Sequence, residues 1–197
     1  HAFKENEEWW GKGFTEWNNV TKATPHFVGQ IQPKLPHDIG FYDLSQKENI
    51  KKQIELAKQY GIYGFSIYYY WFNRHRLMEK PLDIILENKD LDINFCINWA
   101  NENWTKRWDG GDKEVLIAQD DDEEKLIWCI KDMEKYIRDE RYIKVDGKPL
   151  IIIYKPTLIK NVGIMVENWR NYLREVGIGE AYIMAVKTFD ITDEYKN

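Results

Sequence analysis

The sequence is poor in the residues that announce disulfide, metal or membrane chemistry. Only two cysteines occur in 197 residues, and neither Cys96, inside an apolar run, nor Cys129, inside a helical pattern, has metal-ligand spacing. Both read as small buried hydrophobes of a reducing compartment, with a disulfide between them left open. The four histidines, His1, His26, His37 and His75, form no HxH or HExxH pattern, so no metal is expected and no other cofactor is called for. No apolar run approaches the roughly 18 residues of a membrane span, and no basic-then-apolar leader opens the chain. A cytoplasmic location is expected, with a periplasmic or secreted one left open because a chain starting at His1 looks trimmed.

Charge is equally uninformative about a polyanionic partner. The 28 basic and 33 acidic residues are scattered, giving a net charge of -5 and no basic stripe, so nucleic acid is not an expected partner. The acidic run from Asp120 to Glu124 lacks the alternating ligands and central glycine of a calcium loop and reads as a charged helix entrance. There is no glycine-rich cradle for a phosphate and no Asp-x-Asp motif outside that run.

Aromatic residues, by contrast, are abundant: 9 Trp, 12 Tyr and 8 Phe exceed what a core of this size requires. Indole faces stack on the apolar faces of pyranose rings, so this excess favours an oligosaccharide or polysaccharide partner. The segment Asn98-Trp99-Ala100-Asn101-Glu102-Asn103-Trp104-Thr105-Lys106-Arg107-Trp108-Asp109-Gly110 concentrates the signal, interleaving three indoles with amides, cations and carboxylates. A loop that merely capped a core would not need so many polar side chains between the indoles.

After an irregular, Gly- and Pro-punctuated opening through Pro36, helical and strand patterns alternate. Ser45 and Glu48 have the spacing of a capping box, with Ile50, Ile54 and Ala57 on one face and Gly61 at the stop. Strands are expected over 63–70, 93–98, 150–154 and 182–186. The intervening helices start at Pro81, carry the stripe Leu126, Ile130, Met133 and Ile137, and end at Gly177 after Trp169, Leu173 and Val176. Such alternation means a parallel sheet covered by helices, as one domain over residues 1–197. Four strands are half of a closed (β/α)8 barrel, so a barrel portion or an open parallel sheet is expected.

In such folds ligands bind beyond the carboxyl ends of strands, which selects Tyr70 and Trp71, then Asn98, Trp99, Asn101, Trp104, Arg107, Trp108 and Asp109, then Tyr154 as substrate-binding residues. Glu102 is the leading catalytic carboxylate, since desolvation among indoles would suit it to acid–base work. An ion pair with Lys106 or Arg107 on a local helical turn is the competing reading. Glu16, in the second Trp-rich run with Trp10 and Trp17, is the candidate for the other carboxyl of glycoside chemistry; a separation of about 5 Å implies retention and a wider gap inversion.

The runs Glu7-Glu8-Trp9-Trp10-Gly11-Lys12-Gly13-Phe14-Thr15-Glu16-Trp17, Gly40-Phe41-Tyr42-Asp43-Leu44, Tyr69-Tyr70-Trp71-Phe72, Asn98 to Trp104 and Asp146-Gly147-Lys148-Pro149 together resemble the WbsX-like family of bacterial polysaccharide loci, which is similar to glycoside hydrolase family 99. The resemblance implies a (β/α)8 barrel, here without its first strand and later strands, acting in lipopolysaccharide O-antigen or capsule metabolism. It also implies retaining chemistry at an α-linkage with two carboxylates and the substrate's own 2-hydroxyl as nucleophile. Glu102, beyond a strand end, looks like one of those carboxylates, its role as acid or base open, and His1 would lie at the mouth of the site. A glycosyltransferase and a non-catalytic glycan-binding module are the alternatives. The sequence says nothing of oligomeric state.

Overall fold

The computed structural model describes residues 2–106, 111–119 and 122–187. The chain divides into two compact units, residues 1–63 with 77–92, and residues 64–76 with 93–197.

The first unit is helical: α1 (Lys4–Trp10), α2 (Glu16–Lys22), α3 (Lys47–Gln59) and α4 (Lys80–Glu87). The opening expected to be irregular thus holds α1 and α2, each of seven residues. Two turns are too short to display an apolar period, which is why the pattern hides them. In α2 the Thr15 N–H donates to Asn18 Oδ1 at 2.8 Å, one half of a capping box. The box expected at Ser45 and Glu48 does not form. The N-cap of α3 is Gln46, and Ser45 instead gives its N–H to Asp43 Oδ1 at 2.8 Å. The stop is as expected: Gly61 takes φ +73°, its N–H reaches Lys58 O, and Ile62 N–H reaches Ala57 O, a Schellman closure.

The second unit is built on β1 (Gly64–Phe72), β2 (His75–Leu77), β3 (Asn94–Trp99), β4 (Trp104–Lys106), β5 (Gly111–Ile117), α5 (Glu123–Ile137), β6 (Lys144–Val145), β7 (Lys148–Ile153), α6 (Val162–Glu175) and β8 (Tyr182–Ala185). Its main sheet runs β2-β1-β3-β7-β6, with β8 also on β7, while β4 and β5 form a separate ribbon. The four expected strands are β1, β3, β7 and β8, and each lies parallel to the next, with Gly64 opposite Asn94, Ile97 opposite Ile151 and Leu150 opposite Tyr182. This sequential parallel order is what a barrel needs. Among the described residues the sheet nevertheless stays open and mixed, with β6 antiparallel to β7, because four parallel strands are too few to close.

Period-two alternation gives the sheet two unlike faces. Phe95, Ile97, Trp99, Ile151 and Ile153 are buried with Leu126, Cys129, Ile130 and Met133 of α5 and Trp169 and Leu173 of α6. Trp99 and Trp169 pack with ring centroids 5.5 Å apart, and the Trp169 indole N–H donates to Leu126 O at 3.0 Å. Tyr69 of β1 donates its hydroxyl to Asp132 of α5. The other face is far more open, Tyr68 being 50%, Tyr182 43% and Met184 41% exposed. Both cysteines are buried and free. No helix among the described residues is long and apolar enough to cross a membrane.

Candidate functional site

The open face carries polar and aromatic groups to one end of the parallel strands. Tyr68 meets Tyr154 edge-on at 5.8 Å and tilts against Tyr70 at 6.1 Å, while Tyr70 meets Trp104 edge-on at 5.1 Å. These rings come from the ends of β1 and β7 and the start of β4 and make one cluster. Asn98 stands in register between Tyr68 and Ile152, and its Oδ1 is buried without a hydrogen-bond donor among the described residues.

Beyond β3 the chain is fixed by Asn101, which is 3% exposed. Its Nδ2 donates to Lys155 O at 2.7 Å and its Oδ1 accepts from Lys155 N–H at 2.8 Å. This two-way clamp ties the end of β3 to the end of β7. Its consequence is local: Glu102 Oε1 and Lys155 Nζ lie 2.9 Å apart, with about a third of the Glu102 side chain and a quarter of the Lys155 side chain exposed. Burial, then Tyr154 and the Glu102 carboxylate, raise the Tyr68 hydroxyl above its ordinary pKa, so it is a neutral hydrogen-bonding group at neutral pH.

The competing reading, an ion pair of Glu102 with Lys106 on a local helical turn, is corrected, while its Arg107 alternative lies outside the described residues. Trp104 to Lys106 is a strand rather than a helical turn, so Lys106 reaches across the ribbon to Glu114. Trp71 and Trp99, each 1% exposed, sit in the core and alternate away from Tyr70 and Asn98. In the helical unit Trp10 stacks on Phe14 at 5.7 Å, and Trp17 packs edge-on against Phe41 and Tyr42 while its indole N–H donates to Tyr42 O at 3.0 Å. Glu16 is exposed in the first turn of α2. His1, Arg107, Trp108 and Asp109 lie outside the described residues. Among the described residues no cluster of three or more His, Cys, Asp or Glu could hold a metal ion.

Three groups at this strand end are absent from the site residues selected in the sequence. Lys155 and Tyr68 both stand in strand-end runs, which was a usable signal. Gln119 carries no signal. It is placed by the β4–β5 ribbon, its N–H donating to Asn103 Oδ1 at 2.8 Å and its Nε2 to Trp71 O at 3.0 Å.

With that geometry in place, comparison with known proteins is decisive about family. A family model described as "Glycosyltransferase WbsX" matches residues 1–197. The chain belongs to the WbsX glycosyltransferase family. Proteins named "Uncharacterized protein WxcX" from two strains of Xanthomonas campestris pv. campestris, B100 and ATCC 33913, are 39% identical over 193 residues, 98% of this chain. The chain spans 28% of the length of those curated relatives. A solved structure titled "Glycoside hydrolase-like protein" superposes with a TM-score of 0.55 at 15% identity, covering 86% of this chain and 56% of that one. The family 99 endo-alpha-mannosidase from Bacteroides thetaiotaomicron gives 0.52 at 14% identity, covering 83% and 47%. At such identities the likeness is one of fold, an α/β arrangement of the family 99 barrel class. The resemblance read from the tryptophan motifs holds.

Proposed function

We propose that these residues form part of the catalytic barrel of a carbohydrate-active enzyme of bacterial surface polysaccharide metabolism, with Glu102 as one of its carboxylates. The observation that carries this reading is Glu102 held against Lys155 where β3 and β7 end, beside the Tyr68, Tyr70, Tyr154 and Trp104 rings. Membership in the WbsX family and the family 99 type of fold support it. The Asn101 clamp fixes the backbone on both sides of the ion pair, so the carboxylate needs little reorganisation when a sugar arrives. The aromatic edges offer the apolar surface that a pyranose face prefers, and the amide of Asn98 offers a buried acceptor for a sugar hydroxyl.

The reaction we assign is cleavage or transfer at an α-glycosidic bond with retention, which requires a second carboxyl group. Glu16, exposed at the head of α2, is the candidate for it within this chain. The test is proton NMR of the first product formed when the full-length protein meets the surface polysaccharide of its own organism. Initial appearance of the α-anomer agrees with the reading; initial appearance of the β-anomer contradicts retention. The family's description as a glycosyltransferase favours a second reading, transfer from an activated donor. Release of free nucleotide from a nucleotide-sugar, dependent on the acceptor glycan, would establish that one instead.

A further inference from the structure

On the helix-covered side of the β3 end lies a cavity of ≈ 300 Å³ walled by Trp99, Asn103, Gln119, Leu126, Leu158 and Ile159. That size is at the lower end of small-ligand sites. Two of its lining residues carry a buried donor and a buried acceptor that meet no partner among the described residues. The Trp99 ring is 1% exposed and fixed against Trp169, yet its Nε1 is buried and meets no acceptor among the described residues. Gln119 spends its Nε2 on Trp71 O, which settles which end of the amide is which, and its Oε1 is buried and meets no donor among the described residues. Buried polar groups are rarely left without partners, so two on one cavity call for an explanation.

We infer that this cavity is a subsite for the acetamido group of a 2-acetamido sugar, an inference that rests on the carbohydrate reading above. An acetamido group carries one acceptor, one donor and one methyl. Its carbonyl would accept from the Trp99 indole N–H, its N–H would donate to Gln119 Oε1, and its methyl would lie against Leu126, Leu158 and Ile159. A hydroxyl in the same position leaves the aliphatic wall uncovered. A free amine brings a cation to a lining that has no carboxylate among the described residues, which desolvation penalises. A site built to hydrogen-bond a group discriminates strongly against analogues that lack it. The subsite would thus set the protein's preference for N-acetylated sugar units.

The experiment is saturation-transfer NMR on the full-length protein with N-acetylglucosamine, N-acetylgalactosamine and N-acetylmannosamine, each against its parent hexose and hexosamine. At least one N-acetylated sugar should bind at least tenfold more tightly than both parents, with its acetyl methyl receiving the strongest saturation. Leu158 is 53% exposed on the turn after β7, so Leu158→Trp can narrow the cavity with the fold intact, as circular dichroism will verify. That variant should lose the acetyl preference at least tenfold. Equal binding of all N-acetylated sugars and their parents, or a preference that survives in folded Leu158→Trp, overturns the inference. These readouts are independent of turnover: no acetyl preference in the unsubstituted, active glycosidase sinks only the subsite, whereas unchanged turnover in a Glu102 variant sinks only the catalytic reading.

Discussion

Both ends of the Asn101 amide bind the backbone of Lys155, and Asn101 is itself buried, so truncation removes both bonds, while Lys155 O keeps the one it accepts from Leu158 N–H at 3.1 Å. Asn101→Ala should cost about 1–3 kcal/mol in urea unfolding and lower turnover by roughly tenfold as Glu102 and Lys155 lose register. A second residue pair predicts the pH response. Glu134 of α5 accepts from the Tyr172 hydroxyl of α6 and from Arg138 Nε at 2.7 Å, and those two bonds, Tyr172's foremost, hold its carboxyl below the usual range. Burial first, then the bond to Glu134, push the Tyr172 hydroxyl up to about 12. A tyrosine that is harder to ionise when folded stabilises fully below its unfolded value of 10.0, and that contribution fades as pH rises through about 12. The carboxyl contributes above its ordinary 4.5 and fades as pH falls below that. Tyr172→Phe should therefore flatten the loss of stability between about pH 10 and 12 in denaturant titrations. The sequence picks out Tyr70, Asn98, Trp104 and Tyr154 because they follow apolar runs. It adds Trp71 and Trp99 because reading a strand end as a loop discards the parity that sends alternate residues to opposite faces. Lys155 is harder to see as a partner, since what aims it is Asn101, 54 residues earlier.

Among elements, the parallel seam between β1 and β3 has the least tolerance. A Cβ at Gly64 would meet Asn94 O at 2.5 Å, backbone that cannot step aside without moving the pair. Gly64→Ala should destabilise by about 1–3 kcal/mol, read as a lower midpoint in urea with the same slope. Helices α3, α5 and α6 are legible because they are long enough to repeat an apolar stripe, and two of them end on glycines: Gly177 takes φ +77° and closes α6 as Gly61 closes α3. The ribbon of β4 and β5 is not legible, since its pairing has register shifts after Trp104 and Thr105 that break any alternation. Reading that stretch as a local helical turn is what made Lys106 look like a partner for Glu102. Trp169, fully buried and bonded to Leu126 O, joins α6 to α5; Trp169→Ala should cost about 3–5 kcal/mol by the same titration.

For the molecule as a whole, the parallel order β1, β3, β7, β8 follows the order of the sequence, which is why the sheet type was readable from alternation alone. Closure was not readable, because the four parallel strands among the described residues are too few for it. The chain spans 28% of the length of its WxcX relatives. The central claim nonetheless rests on one side chain within it. It is tested most directly by turnover and glycan binding of full-length Glu102→Gln on the organism's own surface polysaccharide. Turnover should fall by roughly 10²–10⁴-fold while the glycan dissociation constant changes only a few-fold. Unchanged turnover would contradict the assignment of Glu102 and with it the proposed site.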